Sequence, residues 1–159
     1  MNEKETSQFF QNLGEIWRDI TAMEFLMRCA IAKNDGEEVR FPQPPYEKGR
    51  SYKEYPKAFK HLSFEMVTNK FNKRFPEIAV PQELIQLRDA MAHGITAEIN
   101  KSDKVQLVKF KEMKDQKELK VEFSLTLEFE RITQIRQSLM ELRRHIVKKI
   151  NENMPLNNK

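Results

Sequence analysis

The chain has 159 residues, which is the size of one domain and is enough to bury a hydrophobic core. Hydrophobic residues form 39% of the chain and charged residues 33%, a balance typical of a helix-rich protein with charged exposed faces. The single cysteine, Cys29, excludes an internal disulfide, and the three histidines do not have the spacing of a zinc site, so no metal or other cofactor is expected. The net charge of +4 is compatible with a polyanionic partner but does not require one.

The ends and apolar runs of the chain indicate neither a membrane span nor a secretory signal. The apolar run 22–32 is interrupted by Glu24 and Arg28, which read as an ion pair one helical turn apart. The first five residues lack the basic and then apolar order of a signal peptide. We therefore expect a cytoplasmic protein with no membrane partner.

Apolar residues at helical spacing over 6–33 predict a long first helix, which the Asn34-Asp35-Gly36 turn ends. Its predicted core positions include Trp17, and Gly14 within it weakens the helix unless another backbone approaches closely there. A second helix is predicted from Pro56 to Arg74. A third begins at Pro81 and ends at Gly94.

The segment 34–53 is rich in proline and glycine and predicts a long loop between the first two helices. It contains aromatic side chains among cations, an arrangement that suits base stacking and phosphate contact, and its candidate RNA-binding residues are Tyr46, Arg50, Tyr52 and Lys53. The alternative is that the loop tyrosines pack over the helices and serve as anchors.

Alternating apolar and polar residues over 104–125 predict a β-hairpin, whose many lysines and acidic residues read as a solvated face. Thr126 is the predicted N-cap of a last helix, and 151–159 is predicted to be a flexible tail. The last helix has an apolar stripe at bundle spacing: Ile132, Ile135, Leu139, Leu142, Ile146 and Ile150. The whole chain is predicted to be a mainly α, four- to five-helix up-and-down bundle with the hairpin inserted before the last helix.

The candidate chemical site is the stretch 87–94, with the sequence Leu-Arg-Asp-Ala-Met-Ala-His-Gly. Arg88 is an always-charged group suited to clamping phosphate, and His93 can act as an acid or a base near neutral pH. RNA cleavage by attack of a ribose 2′-hydroxyl on the adjacent phosphate needs these two side-chain types. No other histidine of the chain follows an arginine at this spacing.

This stretch resembles the Arg-x4-His motif of the HEPN superfamily, in which the residue after the arginine is typically Asn, Asp or His, here Asp89. HEPN domains are four- to five-helix bundles with the motif near the end of a late helix, so the predicted layout is also similar. The resemblance implies a metal-independent endoribonuclease with Arg88, Asp89 and His93 in its site. It also implies a role in toxin–antitoxin or phage-defence systems, with a cognate antitoxin or a nucleotidyltransferase as a candidate partner.

Helical geometry adds a constraint on this site. Arg88 and His93 are about 140° apart around an ideal helix, whereas Asp89 and His93 are one turn apart on one face. Gly94 would have to free the histidine ring, or a second copy would have to supply the other half of the site. Catalytic HEPN proteins pair their motifs across a dimer interface, so the resemblance favours the second solution. It implies a homodimer with a composite active site, in which Ala90 and Ala92 permit close approach. The two copies of His93 would share the acid and base roles.

Three alternatives to a nuclease remain open at this point. The Arg88, Asp89 and His93 set is also compatible with a polar cluster at the edge of a bundle, in which His93 stabilises a helix C-terminus. A HEPN module that binds RNA, a nucleotide or a protein partner without cleaving RNA would retain binding and lack cleavage. A purely structural dimerisation domain would have no nucleic-acid phenotype that depends on Arg88.

Overall fold

The computed structural model describes residues 3–39, 56–98, 105–113 and 118–152, and these are mainly helical with a small three-stranded antiparallel sheet before the last helix. The helices are α1 (Glu3–Asn34), α2 (Phe64–Arg74), α3 (Gln82–His93) and α4 (Phe129–Glu152), and the strands are β1 (Ile95–Glu98), β2 (Val105–Met113) and β3 (Glu118–Leu127). The chain forms two compact units, one from 1–21 and 81–141 and the other from 22–80 and 142–159. No helix in the described ranges is long and apolar enough to cross a membrane.

The first unit contains α3, the sheet and parts of the two long helices. Its core includes the fully buried Ile16, Ala90 and Leu139, which come from α1, α3 and α4. The strands lie in the order β1-β2-β3, and β2 pairs with β3 from Val105 opposite Leu127 to Met113 opposite Glu118. The predicted hairpin is therefore confirmed, although the tip 114–117 lies outside the described residues.

Two predictions in this unit are wrong in detail. The sequence predicts a hairpin alone, but β1 adds a third strand, in which Ile95 pairs with Val108 of β2. The helix breaks at Gly94, so the following residues are free to extend along β2. Thr126 pairs with Gln106 in the sheet, and α4 begins later, at Phe129, so Thr126 is not its N-cap.

The second unit contains α2 and the remaining parts of α1 and α4, with a core that includes Met23, Met27, Val67, Phe71 and Ile146. The turn predicted after the first helix is confirmed, because α1 ends at Asn34 and Gly36 has a left-handed φ of 73°. The apolar stripe of α4 is also confirmed, with Ile146 fully buried. The tail is helical to Glu152, and 153–159 lie outside the described residues.

The predicted second helix is shorter than expected. A single 3-10 turn at Lys57–Phe59 precedes α2, which begins at Phe64 because the Ser63 hydroxyl accepts a hydrogen bond from the Met66 amide at 3.2 Å. Arg28 stabilises the non-helical segment between them. Its guanidinium donates to the carbonyl oxygens of Ala58, Lys60 and Leu62, at 2.6, 3.3 and 3.0 Å.

Arg28 also forms the predicted ion pair with Glu24, at 2.6 Å. We expect Arg28→Ala to lower the free energy of unfolding by about 2 kcal/mol, because it leaves three carbonyls and a partly buried carboxylate without their donor. Chemical denaturation measures this loss. Arg18→Ala is the matched control on the same helix, since the Arg18 side chain is 71% exposed and should change stability very little. Equal stability of the two variants would contradict the role given to Arg28.

Asp35 and Arg74 form a second ion pair in this unit, with nitrogen–oxygen distances of 2.8 and 2.7 Å. Hydrogen bonding from Arg74 lowers the pKa of Asp35 below its ordinary value of 3.8. A lowered folded-state pKa stabilises the protein above the ordinary pKa, and this contribution is lost as the pH falls through the lowered pKa. We expect Arg74→Gln to reduce the melting temperature at about pH 7, with the difference from wild type disappearing at about pH 2. A difference that is independent of pH would contradict this assignment.

Candidate functional site at the end of α3

Helix α3 carries the motif and is anchored by its apolar side. Pro81 precedes it in an extended conformation, Glu83 lies in its first turn, and Leu84 and Leu87 are buried. Ala90 is also fully buried, so Ala90 is not available to a partner and the expectation that it permits close approach is wrong. Ala92 is exposed. The helix ends at His93, as predicted, with the Gly94 amide donating to the Ala90 carbonyl oxygen at 2.6 Å.

Gly94 is required by a close approach of backbone and not by an unusual conformation. Its φ of −87° and ψ of 179° are accessible to any residue. A Cβ at this position, however, would lie 2.6 Å from the Val108 carbonyl oxygen and closer still to the Ala90 carbonyl oxygen. The missing side chain therefore lets β2 lie directly against the C-terminal end of α3, where His93 is located.

Asp89 and His93 lie one turn apart at this end of the helix, and both are accessible to solvent. The His93 Nε2 atom is 3.8 Å from Asp89 Oδ1, and their side chains are 65% and 40% exposed. This distance is within ion-pair range but too long for a hydrogen bond. With 65% of its side chain exposed, the His93 ring is accessible to a substrate.

Lys109 of β2 is the direct partner of Asp89. Its ammonium donates to Asp89 Oδ2 and lies 2.6 Å from a Glu122 carboxylate oxygen of β3. The hydrogen bond to Asp89, and to a lesser extent the hydrogen bond to Glu122, raises the pKa of Lys109. Lys109 therefore remains a cation. Asp89, Lys109, Glu122 and His93 therefore form one charged cluster at the surface of this unit.

Lys109 and Glu122 are not among the predicted site residues, because the charged residues of the hairpin were predicted to form a solvated face. The register between β2 and β3 shifts after Lys109: Lys109 pairs with Phe123 and Phe110 with Val121, so Glu122 is the extra residue of a β-bulge. A bulge bends its strand and changes the direction of a side chain, and here Glu122 reaches Lys109. Alternation along the hairpin could indicate the strands but not the position of this bulge.

Arg88 points to a different neighbour. Its Cζ atom lies 5.7 Å from the centroid of the Trp17 ring of α1, in the range of a cation–π contact. Trp17 was predicted to be a core residue, but it is 39% exposed, and the ring takes part in this contact at the surface. The structure therefore brings Asp89 and His93 together and directs Arg88 toward α1, in agreement with the helical geometry.

The other candidate residues and sites add little to this cluster. Tyr46, Arg50, Tyr52 and Lys53 lie outside the described residues. A groove of about 440 Å³ between α3, β3 and α4 is lined by residues such as Leu84, Phe123 and Ile135, and does not include Arg88 or His93. Within the part of the chain that the structure describes, no three or more His, Cys, Asp or Glu side chains are grouped to hold a metal ion.

Comparisons with protein-family models, with curated proteins and with solved structures find no significant match to this chain.

Proposed function

We propose that this protein is a HEPN-type, metal-independent endoribonuclease. The observation that carries the proposal is an accessible histidine, His93, at the end of a late helix, one turn from a carboxylate and five residues after an arginine. The mainly helical architecture with α3 before the sheet and the last helix is consistent with the bundle that this family implies. The residue types are those that phosphodiester cleavage requires.

The chemistry proposed for the site is attack of a ribose 2′-oxygen on the adjacent phosphorus. A neutral His93 accepts the proton of the 2′-hydroxyl as the new phosphorus–oxygen bond forms. A protonated His93 donates a proton to the 5′-oxygen as its bond to phosphorus breaks, which leaves a 2′,3′-cyclic phosphate and a 5′-hydroxyl. Arg88 stabilises the negative charge of the non-bridging oxygens, and Asp89 stabilises the imidazolium.

We propose that two copies of the chain supply this site. One reason is that the reaction needs an acid and a base together, whereas the site in one chain has a single histidine. The other is that Arg88 is directed toward Trp17, about 140° around the helix from His93. The exposed end of α3, with Ala92 beside His93, is the surface through which a second copy would approach.

A second candidate is a HEPN module that binds RNA, a nucleotide or a protein partner without cleavage. The ion pair between Asp89 and Lys109 favours this reading, because it gives the carboxylate a structural partner. An antitoxin or a nucleotidyltransferase would be a partner under either proposal. The toxin–antitoxin or defence role, and a cytoplasmic location, are likewise proposals that follow from the resemblance.

The experiment that tests the function is cleavage of a defined single-stranded RNA by the purified protein in the presence of a metal chelator. We expect products with 2′,3′-cyclic phosphate ends, because the 2′-oxygen is the nucleophile. The same oligonucleotide with 2′-deoxyribose throughout is the matched control and should remain intact. Cleavage of the deoxy substrate, or cleavage that requires a divalent metal, would contradict the mechanism. Binding of RNA without cleavage would favour the non-catalytic module.

A further inference from the structure

The N-terminal half of α1 has an exposed face with two aromatic side chains on either side of a glycine. Phe10 is 55% exposed and Trp17 is 39% exposed, although apolar rings of this size are usually buried. At 100° per residue, Phe10, Gly14 and Trp17 fall within about 60° of one another around the helix. The Phe10 ring packs edge to face against the buried ring of Phe9, with the two centroids 5.4 Å apart.

Gly14 has no explanation within the described part of the chain. A glycine in the interior of a helix costs about 1 kcal/mol relative to alanine. Close approach of another backbone would explain it, but a Cβ at Gly14 would meet no described atom within 4 Å. The helix is therefore weakened at a position where the space between the two exposed rings is open.

The charges around this face favour an anionic partner. Arg88 lies over the Trp17 ring, and the adjacent Arg18 side chain, which pairs with Asp19 at 3.8 Å, is 71% exposed and so presents its charge to solvent. The nearby Glu15 carboxylate is paired with Arg136 at 2.5 Å. A second copy that docked about a twofold axis on this face, and not at the end of α3 as proposed above, would bring Arg18 and Arg88 close to the same groups of its partner. These like charges would repel each other.

We propose that Phe10, Gly14 and Trp17 form a stacking face for the unpaired bases of single-stranded RNA, beside the phosphate contact of Arg88. Aromatic rings next to arginine are the combination that binds single-stranded nucleic acid, because every base has a face that can stack. Gly14 lets a base or the sugar reach the helix surface between the rings. The inference rests on RNA being the substrate, and it names the structural class of RNA that the site accepts.

The test uses the full chain with His93→Ala, which prevents cleavage during titration. Trp17 is the single tryptophan of the protein, so intrinsic fluorescence reports on this face alone. We expect a short single-stranded RNA to quench the fluorescence, and a duplex of the same length to leave it nearly unchanged. Quenching by both forms to the same extent would overturn the proposal.

Binding of the same RNA, carrying a fluorescent label, to stacking-face variants gives the second measurement. We expect Phe10→Leu and Trp17→Leu to weaken binding by about 5- to 150-fold each, the range that loss of one stacked base gives. Gly14→Ala should weaken binding while raising the melting temperature by about 2–4 °C, because the alanine stabilises the helix and fills the gap. Phe25→Leu is the matched control, since this exposed ring of the same helix packs against Phe59 and should not affect binding.

The outcomes separate this proposal from the nuclease proposal. Quenching by single-stranded RNA without any cleavage by the wild-type protein would support the stacking face and reject the nuclease. Cleavage by the wild-type protein together with unchanged binding by Phe10→Leu and Trp17→Leu would do the opposite. Sedimentation of the variants without RNA distinguishes a second copy as occupant. If Trp17→Leu or Gly14→Ala converts a dimer into a monomer, the face is a contact between copies and the stacking proposal is wrong.

Discussion

Replacing His93 with alanine is expected to lower the rate of RNA cleavage by at least about 10²–10⁴-fold, the contribution of one general acid or base. The imidazole is 65% exposed, so its removal should disturb packing little and the melting temperature should stay close to that of wild type. In a composite site, each chain contributes one of the two proton-transfer groups, so the single substitution removes both. Single-turnover cleavage of a labelled RNA measures the effect.

The chain offers two matched controls for this prediction. His61 and His145 are exposed histidines outside the motif, and alanine at either position should leave the cleavage rate unchanged. Equal loss of activity in a control variant would indicate that the chemistry does not depend on the motif. If His93→Ala cleaves as fast as wild type, the mechanism is wrong. Activity per chain should also fall when the protein is diluted below the concentration at which it dimerises.

Gly94→Ala is expected to lower the free energy of unfolding by about 3 kcal/mol, near the upper end of the range for an inserted methyl group in a packed site. The new Cβ would be forced against two backbone oxygens, those of Ala90 and Val108, which cannot rotate away as a side chain could. For a chain of this length, the melting temperature should fall by about 6–12 °C. The substitution should also displace β2 from the end of α3, and with it the ion pair of Lys109 and Asp89.

Gly14→Ala is the natural counterpart, because the same change at a site with open space should stabilise the protein. Opposite signs for the two glycines would support close approach as the reason for Gly94. Unchanged stability of Gly94→Ala would mean that α3 and β2 separate easily, and that the cluster at the end of α3 is not rigidly built. Hydrogen exchange of the β1 and β2 amides measures that separation directly.

Much of the secondary structure could be predicted because it depends on local pattern. Periodic apolar residues predicted α1 and α4, and Gly94, the residue after His93, predicted the end of α3. Predictions failed where distant contacts compete with local pattern. The segment before α2 has helical periodicity, but Arg28 binds its carbonyls in a non-helical arrangement. Thr126 has the character of a helix cap, but its pairing with Gln106 extends the sheet past it.

The sequence by itself determined the alignment of Asp89 with His93 and the divergence of Arg88, because both follow from the angle per residue of one helix. It also placed the end of that helix at Gly94. Only the tertiary structure decided which groups surround the motif. Lys109 contacts Asp89, a β-bulge brings Glu122 to Lys109, and a partly exposed Trp17 contacts Arg88. These contacts join elements that are distant in the chain, so they depend on how the elements pack.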